Sequence, residues 1–332
     1  MDSGAAEDHM IGSRRLLWVL ALAACAASSA AAQQAADFPA GTVRIIVPFA
    51  AGGPTDVVAR ILAELLSERW GGKSVVVENR PGAGTIMATA ALAKAPADGY
   101  TVGIATNSFL INPAIHLKLP YDAQADFASI SMIATQPVAL VANAAFPANT
   151  LAELIEVAKK SPEPLNYTSP GPRGVGHLAG EMLKQRAGIV MQHISYNGSA
   201  PALNDVIGGR VPLMFDIWHS ARRYVDTGQL KLIAGAGLAP LPGAEHAPTI
   251  AQTFPGFDVV AFNAMIGPAG IPPPVLDKLS AYVGAVVDSP EFAARTRALG
   301  IDAKSTTPHQ LDVWFAKEMA RWTEIAKELK AD

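Results

Sequence analysis

The stretch VRIIVPFAAGGPTD, residues 43–56, joins a short β-branched run to a glycine-rich turn and then to the start of a helix. The apolar residues Val58, Ile61 and Leu65 follow at helical spacing along one face. The same order of strand, turn and helix recurs in residues 74–94 and again in residues 151–216. Alternation of this kind is typical of parallel sheets covered by helices, so the sequence predicts an α/β fold.

The chain contains two such α/β units, and its final third has a helical pattern without a further sheet, in residues 274–287, 291–299 and 311–329. We therefore expect the C-terminal segment to return to the first unit. Two segments, near residues 136–137 and 247–262, would then cross between two lobes. The expected lobes are residues 38–137 plus 251–332 and residues 138–250, with a cleft between them that can close on a ligand.

The N-terminus has the order of a secretory signal peptide. Arg14 and Arg15 precede an apolar run at residues 16–27, and three alanines follow at residues 30–32. This order predicts that residues 1–32 are removed and that the mature protein is periplasmic. A transmembrane anchor is the alternative, but the run has only about half of the roughly 20 residues that a spanning helix needs.

Two refinements of the export signal stay open. Residues 13–17, SRRLL, partly resemble a twin-arginine signal, and residues 22–25, LAAC, resemble a lipoprotein cleavage box with Cys25 as the lipidated residue. We prefer a filler role for Cys25 within the apolar run, because a good Ala-x-Ala cleavage site lies downstream.

Composition excludes several classes of protein. Of the 332 residues, 17% are charged, the formal net charge is -3, and the basic residues are scattered, so we expect no nucleic-acid partner. The single cysteine excludes a disulfide framework and a CxxC site. None of the seven histidines forms an HxxxH or HExxH pair, so we expect no metal and no cofactor. We also expect a monomer.

One motif favours an enzyme. Residues 174–179, GVGHLA, match the GxGxxA form of a dinucleotide-binding turn between a strand and a helix. The next strand, however, ends at Ser195 and Tyr196 and supplies no acidic residue for a ribose hydroxyl. No GxSxG elbow is present either. We therefore expect that the protein is not an enzyme, with a two-lobed α/β enzyme as the less favoured alternative.

Three strand-to-helix turns are rich in glycine and hydroxyl residues, at residues 48–56, 169–177 and 196–200. Glycine lets the backbone approach a ligand closely, and the free N–H groups at a helix start favour an anion. Such turns are also common for conformational reasons alone. Their number in an exported two-lobed chain favours a site for a small carboxylate.

Six stretches occur in order along the chain: FP at 38–39, VPFAAGGPTD at 47–56, VENRPGAG at 77–84, DGYT at 98–101, YNGSAP at 196–201 and MFD at 214–216. Together they resemble the Bug family, the TctC-like extracytoplasmic receptors of tripartite tricarboxylate transporters. The resemblance implies a two-lobed type II periplasmic-binding-protein fold and one small carboxylate ligand. It also implies two integral-membrane transporter subunits as partners. A sensory protein of the same fold, which signals to a membrane sensor, is the alternative.

The resemblance also implies a set of ligand-binding residues. The first loop contributes Phe49, Gly52, Gly53, Thr55 and Asp56. The other lobe contributes Ser169, Tyr196, Asn197, Gly198, Ser199 and Ala200, with Asp216 at the far end of the cleft. Asp216 is favoured independently, because the carboxyl ends of strands face the crevice in open α/β sheets.

The second loop departs from the family pattern. It reads SPGPRG at residues 169–174, where two prolines and an arginine replace small donors. Arg173 is either a bidentate partner for a ligand carboxylate or a solvated loop residue. His177, at the start of the following helix, is either a ligand contact or a structural hydrogen-bonding residue.

Overall fold

The computed structural model describes residues 38–115, 118–172, 174–196 and 198–330. The expected signal peptide at residues 1–32 lies outside these residues, as do Arg173 and Asn197. The described part is an α/β structure, as the strand and helix periodicities predict.

Ten strands of the described chain belong to one continuous sheet. They are β1 Val43–Val47, β2 Val75–Asn79, β3 Thr101–Ala105, β4 Phe127–Asn143, β5 Leu165–Ser169, β6 Met191–Ser195, β7 Leu213–Ile217, β8 Leu230–Gly235, β9 Val260–Pro268 and β10 Asp302–Ala303.

The helices lie between and after these strands. They are α1 Pro54–Arg69, α2 Ile86–Ala93, α3 Asn107–Ile115, α4 Leu151–Lys160, α5 Val175–Ala187, α6 Ser199–Ile207, α7 Trp218–Asp226, α8 Ile250–Thr253, α9 Pro273–Val287, α10 Pro290–Arg297 and α11 Pro308–Lys330.

The sheet has two parallel blocks joined by an antiparallel centre. Its order is β2-β1-β3-β9-β4-β7-β5-β6, and β8 and β10 also pair with β4. The strands β1, β2 and β3 are mutually parallel, and so are β5, β6 and β7. The strands β4 and β9 run antiparallel to each other between the blocks. This is the two-lobed arrangement that the sequence predicts, with two strands passing between the lobes.

Strand β4 has 17 residues. It pairs directly with β7 of the second block and reaches the first block through β9, which pairs with β3. Its pairing with β9 ends at Pro137, and its pairing with β7 begins at Val138. Proline has no N–H to donate, so it is tolerated where a strand changes its partner. The change of partner therefore falls at the crossing that we expect near residues 136–137.

The C-terminal third returns to the first parallel block. One buried apolar cluster combines Ile45 of β1 and Leu62 of α1 with Val275 and Leu279 of α9 and Phe292 of α10. Burying a side chain of this size stabilises a fold by about 1.5–3 kcal/mol. The return is therefore driven by apolar burial and does not need a further sheet.

Helix α11 begins with a capping box formed by Thr307 and Gln310. The backbone N–H of Gln310 donates to Thr307 Oγ1 at 3.2 Å, and the backbone N–H of Thr307 donates to Gln310 Oε1 at 2.9 Å. Leu311 and Trp322 from this helix are buried in the core. Such a cap contributes about 1 kcal/mol.

Three helices of the structure are absent from the sequence prediction: α3, α7 and the four-residue α8. Helix α3 contains Pro113 and has only nine residues, which hides its period. Helix α7 follows β7 directly, and its N-cap residue Ile217 has no capping side-chain bond. Helix α7 therefore lacks the start signal on which sequence reasoning depends, and α3 lacks a clear period.

Candidate ligand-binding site

The predicted binding loops lie at the carboxyl ends of parallel strands. The first follows β1 and leads into α1, the second follows β5 and leads into α5, and the third follows β6 and leads into α6. In open α/β sheets, this edge is where ligands bind. The first loop belongs to one parallel block and the other two belong to the second block.

The first loop is held in shape by the carboxylate of Asp56. Its Oδ2 accepts hydrogen bonds from the Gly52 N–H and from Arg60 Nε, both at 2.8 Å. Its Oδ1 accepts a bond from Asn79 Nδ2 at 2.8 Å, and the same amide group donates to the Phe49 carbonyl at 3.0 Å. Asp56 therefore stabilises the conformation of the loop. Because its oxygens already accept these bonds, few acceptor sites of Asp56 remain for a ligand.

The ionisation of Asp56 follows from these contacts. Burial of the carboxyl group opposes its charge, but the hydrogen bonds from Arg60, Gly52 and Asn79 favour it and keep the pKa of Asp56 below its usual value. The carboxylate is thus ionised at neutral pH. Asp56 loses its charge, and with it the charge-assisted bond to Arg60, only as the pH falls through that lowered pKa.

The two adjacent glycines of the first loop differ in conformation. Gly52 has a φ of +85°, in the left-handed region that favours glycine. Gly53 is the N-cap of α1 with a φ of −80°, and an added Cβ there would lie 3.6 Å from the Ala50 carbonyl. Gly52 is therefore needed for the backbone itself, whereas Gly53 leaves space above the start of the helix.

A buried polar chain connects the first loop to the two crossing strands. Asn263 Nδ2, on β9, donates to Thr55 Oγ1 at 3.2 Å. Gln136 Nε2, on β4, donates to Asn263 Oδ1. Gln136 and Asn263 are each 1% exposed, and Gln136 Oε1 has no hydrogen-bond partner among the described residues. The sequence patterns identified neither residue, although Asn263 is the one polar residue of the otherwise apolar strand β9.

A fourth strand-to-helix turn lies at the same edge, between β3 and α3. Asn107 Nδ2 donates to the Val260 carbonyl at 2.9 Å, and Asn107 Oδ1 accepts the N–H of Phe262 at 3.2 Å. Asn107 therefore fixes the backbone of β9 where that strand begins. The sequence patterns did not identify this turn, although residues 106–108 read TNS directly after a β-branched run.

The second and third loops contact each other. The N–H of Gly198 donates to the Pro170 carbonyl at 2.6 Å. Gly176, in the first turn of α5, packs against the end of β7 so closely that an added Cβ would meet the Phe215 carbonyl at 2.6 Å. The structure thus brings the starts of α5 and α6 together at the end of β7. Two helix N-termini at one place favour a bound anion.

Asp216 lies at this junction and is almost fully buried, with 1% exposure. Its Oδ1 accepts hydrogen bonds from Ser199 Oγ at 2.9 Å and from the Ile217 N–H at 2.8 Å. Its Oδ2 has no hydrogen-bond partner among the described residues. Burial raises the pKa of Asp216 to about 7, against the two hydrogen bonds, which lower it.

Ser169 is also buried, with its hydroxyl group directed away from solvent. Its Oγ donates to the Gly171 carbonyl at 2.9 Å and lies 2.8 Å from His193 Nε2. Burial, followed by the nearby His177, lowers the pKa of His193 to about 4, so this ring is neutral at neutral pH. The hydroxyl proton is used by a carbonyl and is not available to a base. This pair therefore does not have the geometry of an activated serine nucleophile.

His177 belongs to a polar cluster behind the second loop. Its ring stacks on His193 with centroids 3.9 Å apart, and its Nε2 lies 3.7 Å from Glu181 Oε1. The Tyr167 hydroxyl donates to the same Glu181 oxygen at 2.6 Å and also lies 3.0 Å from the His177 carbonyl. These contacts support the structural alternative for His177.

The remaining predicted residues are placed as follows. The Tyr196 hydroxyl donates to Asp205 Oδ2 at 2.6 Å, within the region of α6. Phe49 is 37% exposed, and Ala200 is also exposed. The predicted contacts of Arg173 and Asn197 fall outside the described residues.

Two further observations concern the described part of the chain as a whole. No group of three or more His, Cys, Asp or Glu side chains there is arranged to hold a metal ion. No helix there has both the length and the apolar character that crossing a membrane requires.

Comparison with known proteins gives consistent results. The family model for the tripartite tricarboxylate transporter family receptor matches residues 58–331. Protein BugT of Bordetella pertussis (strain Tohama I) is 31% identical over 320 residues, which cover 96% of this chain and 98% of BugT.

Solved structures extend the similarity to the fold. Rpa4515 of R. palustris with adipate has a TM-score of 0.84 and 32% identity, covering 89% of this chain and 99% of that one. MatC (Rpa3494) from Rhodopseudomonas palustris with bound malate has a TM-score of 0.80 and 29% identity, covering 87% of this chain and all of that one, 100%. The chain therefore belongs to the tripartite tricarboxylate transporter receptor family, the Bug proteins, and has their two-lobed solute-binding fold.

Proposed function

We propose that the protein captures a small organic carboxylate in the periplasm and delivers it to the two integral-membrane subunits of a tripartite tricarboxylate transporter. The observation that carries this proposal is the junction of the second and third loops. There the bond from Gly198, the N-cap of α6, to the Pro170 carbonyl joins the third loop to the second, and the starts of α5 and α6 both lie at the end of β7. Backbone N–H groups at two helix starts bind a carboxylate without a buried lysine or arginine.

The first loop is the proposed partner on the other side of the cleft. Its connection through Thr55 and Asn263 reaches Gln136 on β4. Three residues further along β4, Ala139 lies opposite Asp216. Three residues of strand span about 10 Å, which is the scale of a small dicarboxylate. The adipate of Rpa4515 and the malate of MatC are dicarboxylates of this kind.

The lobes and the leader belong to the same proposal. Lobe 1 would consist of residues 38–137 and 251–332, and lobe 2 of residues 138–250. The return of α9 and α10 to the core of β1 and α1 supports this division. Residues 1–32 would be removed during export. N-terminal sequencing should then show that the mature protein begins near Gln33.

A binding panel tests the proposed ligand class. The mature protein should bind at least one of adipate, malate, succinate and citrate when it is titrated by calorimetry, and the bound acid should be recovered unchanged. Affinity only for uncharged solutes, or conversion of the acid, would contradict the proposal. Gly53→Val should weaken binding by at least tenfold, because its side chain would occupy the space above the start of α1.

The transporter partnership needs a separate measurement. Vesicles that contain the two membrane subunits should take up the labelled acid only when the purified protein is added. If uptake does not depend on the added protein, the protein binds the acid but does not deliver it to the transporter. That result would favour the sensory alternative.

A further inference from the structure

The two oxygens of the Asp216 carboxyl group are in different surroundings. Oδ1 accepts two hydrogen bonds, from Ser199 Oγ and from the Ile217 N–H. Oδ2 is buried and has no partner among the described residues. A carbonyl oxygen has two acceptor sites, and both sites of Oδ1 are occupied by these bonds. Oδ1 therefore matches the C=O oxygen of a neutral carboxylic acid. The remaining oxygen is the one that would carry a proton.

We propose that Asp216 is a neutral carboxylic acid in the liganded protein and that its Oδ2–H donates a hydrogen bond to a carboxylate of the ligand. This inference rests on the proposed function, because it requires that the ligand at this junction is an anion.

The position of Asp216 favours its protonated form when an anionic ligand is bound nearby. Ser199 is the first residue of α6, and the close packing of Gly176 places the start of α5 beside the end of β7. A ligand carboxylate that binds to these helix starts lies next to Asp216. Two ionised carboxylates at hydrogen-bond distance repel each other strongly in a buried site. A protonated Asp216 converts that repulsion into a hydrogen bond.

Within the described residues, no charged group bonds to Asp216, and β4 has no titratable residue opposite it. The titratable residues of the other neighbouring elements are Tyr167 on β5, His177, Glu181, Lys184 and Arg186 on α5, His193 on β6, Asp205 on α6, and His219, Arg222, Arg223, Tyr224 and Asp226 on α7. The pKa of Asp216, about 7, is set by burial and by its two hydrogen bonds, with no contribution from these groups. A nearby anionic ligand raises that pKa further. At neutral pH, binding therefore takes up a proton from solvent, and no other bond changes.

The proposal predicts the sign of a pH dependence. Binding requires the protonated form of Asp216. Above the pKa of Asp216 in the free protein, a rise in pH lowers the fraction of molecules in that form, so affinity for the ligand falls. Calorimetry with adipate and with malate should show roughly tenfold weaker binding at pH 8 than at pH 6. Titrations in buffers of different ionisation enthalpy should show uptake of up to one proton per ligand. The carboxyl groups of both probes are mostly ionised from pH 6 to pH 8, so their own titration contributes little, and it would strengthen binding as the pH rises, opposite to the predicted trend.

Two variants separate the roles of charge and hydrogen bonding. Asp216→Asn keeps an oxygen for Ser199 and Ile217 and supplies an N–H donor in place of Oδ2–H, so its binding should not vary between pH 6 and pH 8. Asp216→Ala lacks the donor and should bind about tenfold more weakly than Asp216→Asn at pH 6. If binding by Asp216→Asn still depends on pH, the pH dependence arises from another group, such as His177, and the proposal is overturned.

An ionised Asp216 gives the opposite pattern. Tested with glutamate, an amino dicarboxylate, it would pair with the ammonium group of the ligand, so affinity for glutamate would rise with pH and Asp216→Asn would lose binding. That result would also overturn the proposal while leaving carboxylate capture intact.

A measurement without ligand keeps the two proposals distinguishable. If no acid of the panel binds, the proposed function fails, but the protonation of Asp216 remains measurable by carbon-13 NMR of its carboxyl group, assigned with Asp216→Asn. We expect the group to be protonated at pH 6. A carboxyl group that is already ionised at pH 5 would contradict the inference, whatever the ligand is.

Discussion

Gly52 and Gly53 are neighbours in the first loop, but only Gly52 has a backbone conformation that disfavours a side chain. Gly52→Ala should therefore lower the free energy of unfolding by about 1 kcal/mol, because a Cβ is strained at positive φ. Gly53→Ala should change it by less than about 0.5 kcal/mol. Urea denaturation of the two variants checks this difference, and equal losses would contradict it.

The same pair separates stability from binding. Because Gly53→Ala leaves the fold intact, any loss of affinity in this variant reports on space that the ligand occupies. Gly52→Ala cannot be interpreted in this way, since the loop itself would change. Asp56 depends on that loop, because the Gly52 N–H is one of the donors to its carboxylate.

At the scale of helices, Gly176 of α5 and Gly284 of α9 form a matched pair. A Cβ at Gly176 would lie 2.6 Å from the Phe215 carbonyl, whereas a Cβ at Gly284 would meet nothing within 4 Å. Gly284→Ala should stabilise the protein by about 0.5–1 kcal/mol, because alanine costs less backbone entropy in a helix. Gly176→Ala should destabilise it, because α5 must move away from β7. Thermal unfolding checks both signs, and stabilisation by Gly176→Ala would contradict the close packing.

The helices and strands were predictable where the sequence has a clear period. Helix α4 has the same bounds in sequence and structure, Leu151–Lys160, because it has a clean amphipathic pattern and a Thr150 cap. Helices α3 and α7 were missed because proline or an uncapped start obscures them.

The candidate site was predictable only in part. Its glycine-rich turns are local features of the sequence, and they lie at the strand ends as expected. The partnership of Gln136 with Asn263 depends on the register between β4 and β9, which no local pattern determines. The pairing of Ser199 with Asp216 depends in the same way on how α6 packs against β7.

At the scale of the whole molecule, β4 links the two parallel blocks, directly through β7 and indirectly through β9, so the two lobes should not unfold independently. Calorimetry of the ligand-free protein should show one transition, with a calorimetric enthalpy equal to the van't Hoff enthalpy. Leu154→Ala, a fully buried change in α4, should lower the stability of the whole molecule by about 2–5 kcal/mol. Two resolved transitions in either protein would show that β4 does not couple the lobes.

The long reach of the central pairing also bears on how the chain acquires its structure. Gln136 and Asn263 meet across the crossing strands although they are 127 residues apart in sequence. Contacts of such high separation form slowly, because the entropy of closing the loop is lost before the contact is gained. During synthesis, the first half of β4 has no partner until β9 has been made, so the lobe that contains β1 to β3 is completed last. A nascent chain of this topology therefore keeps its first lobe unfolded for longer than a chain whose contacts are local.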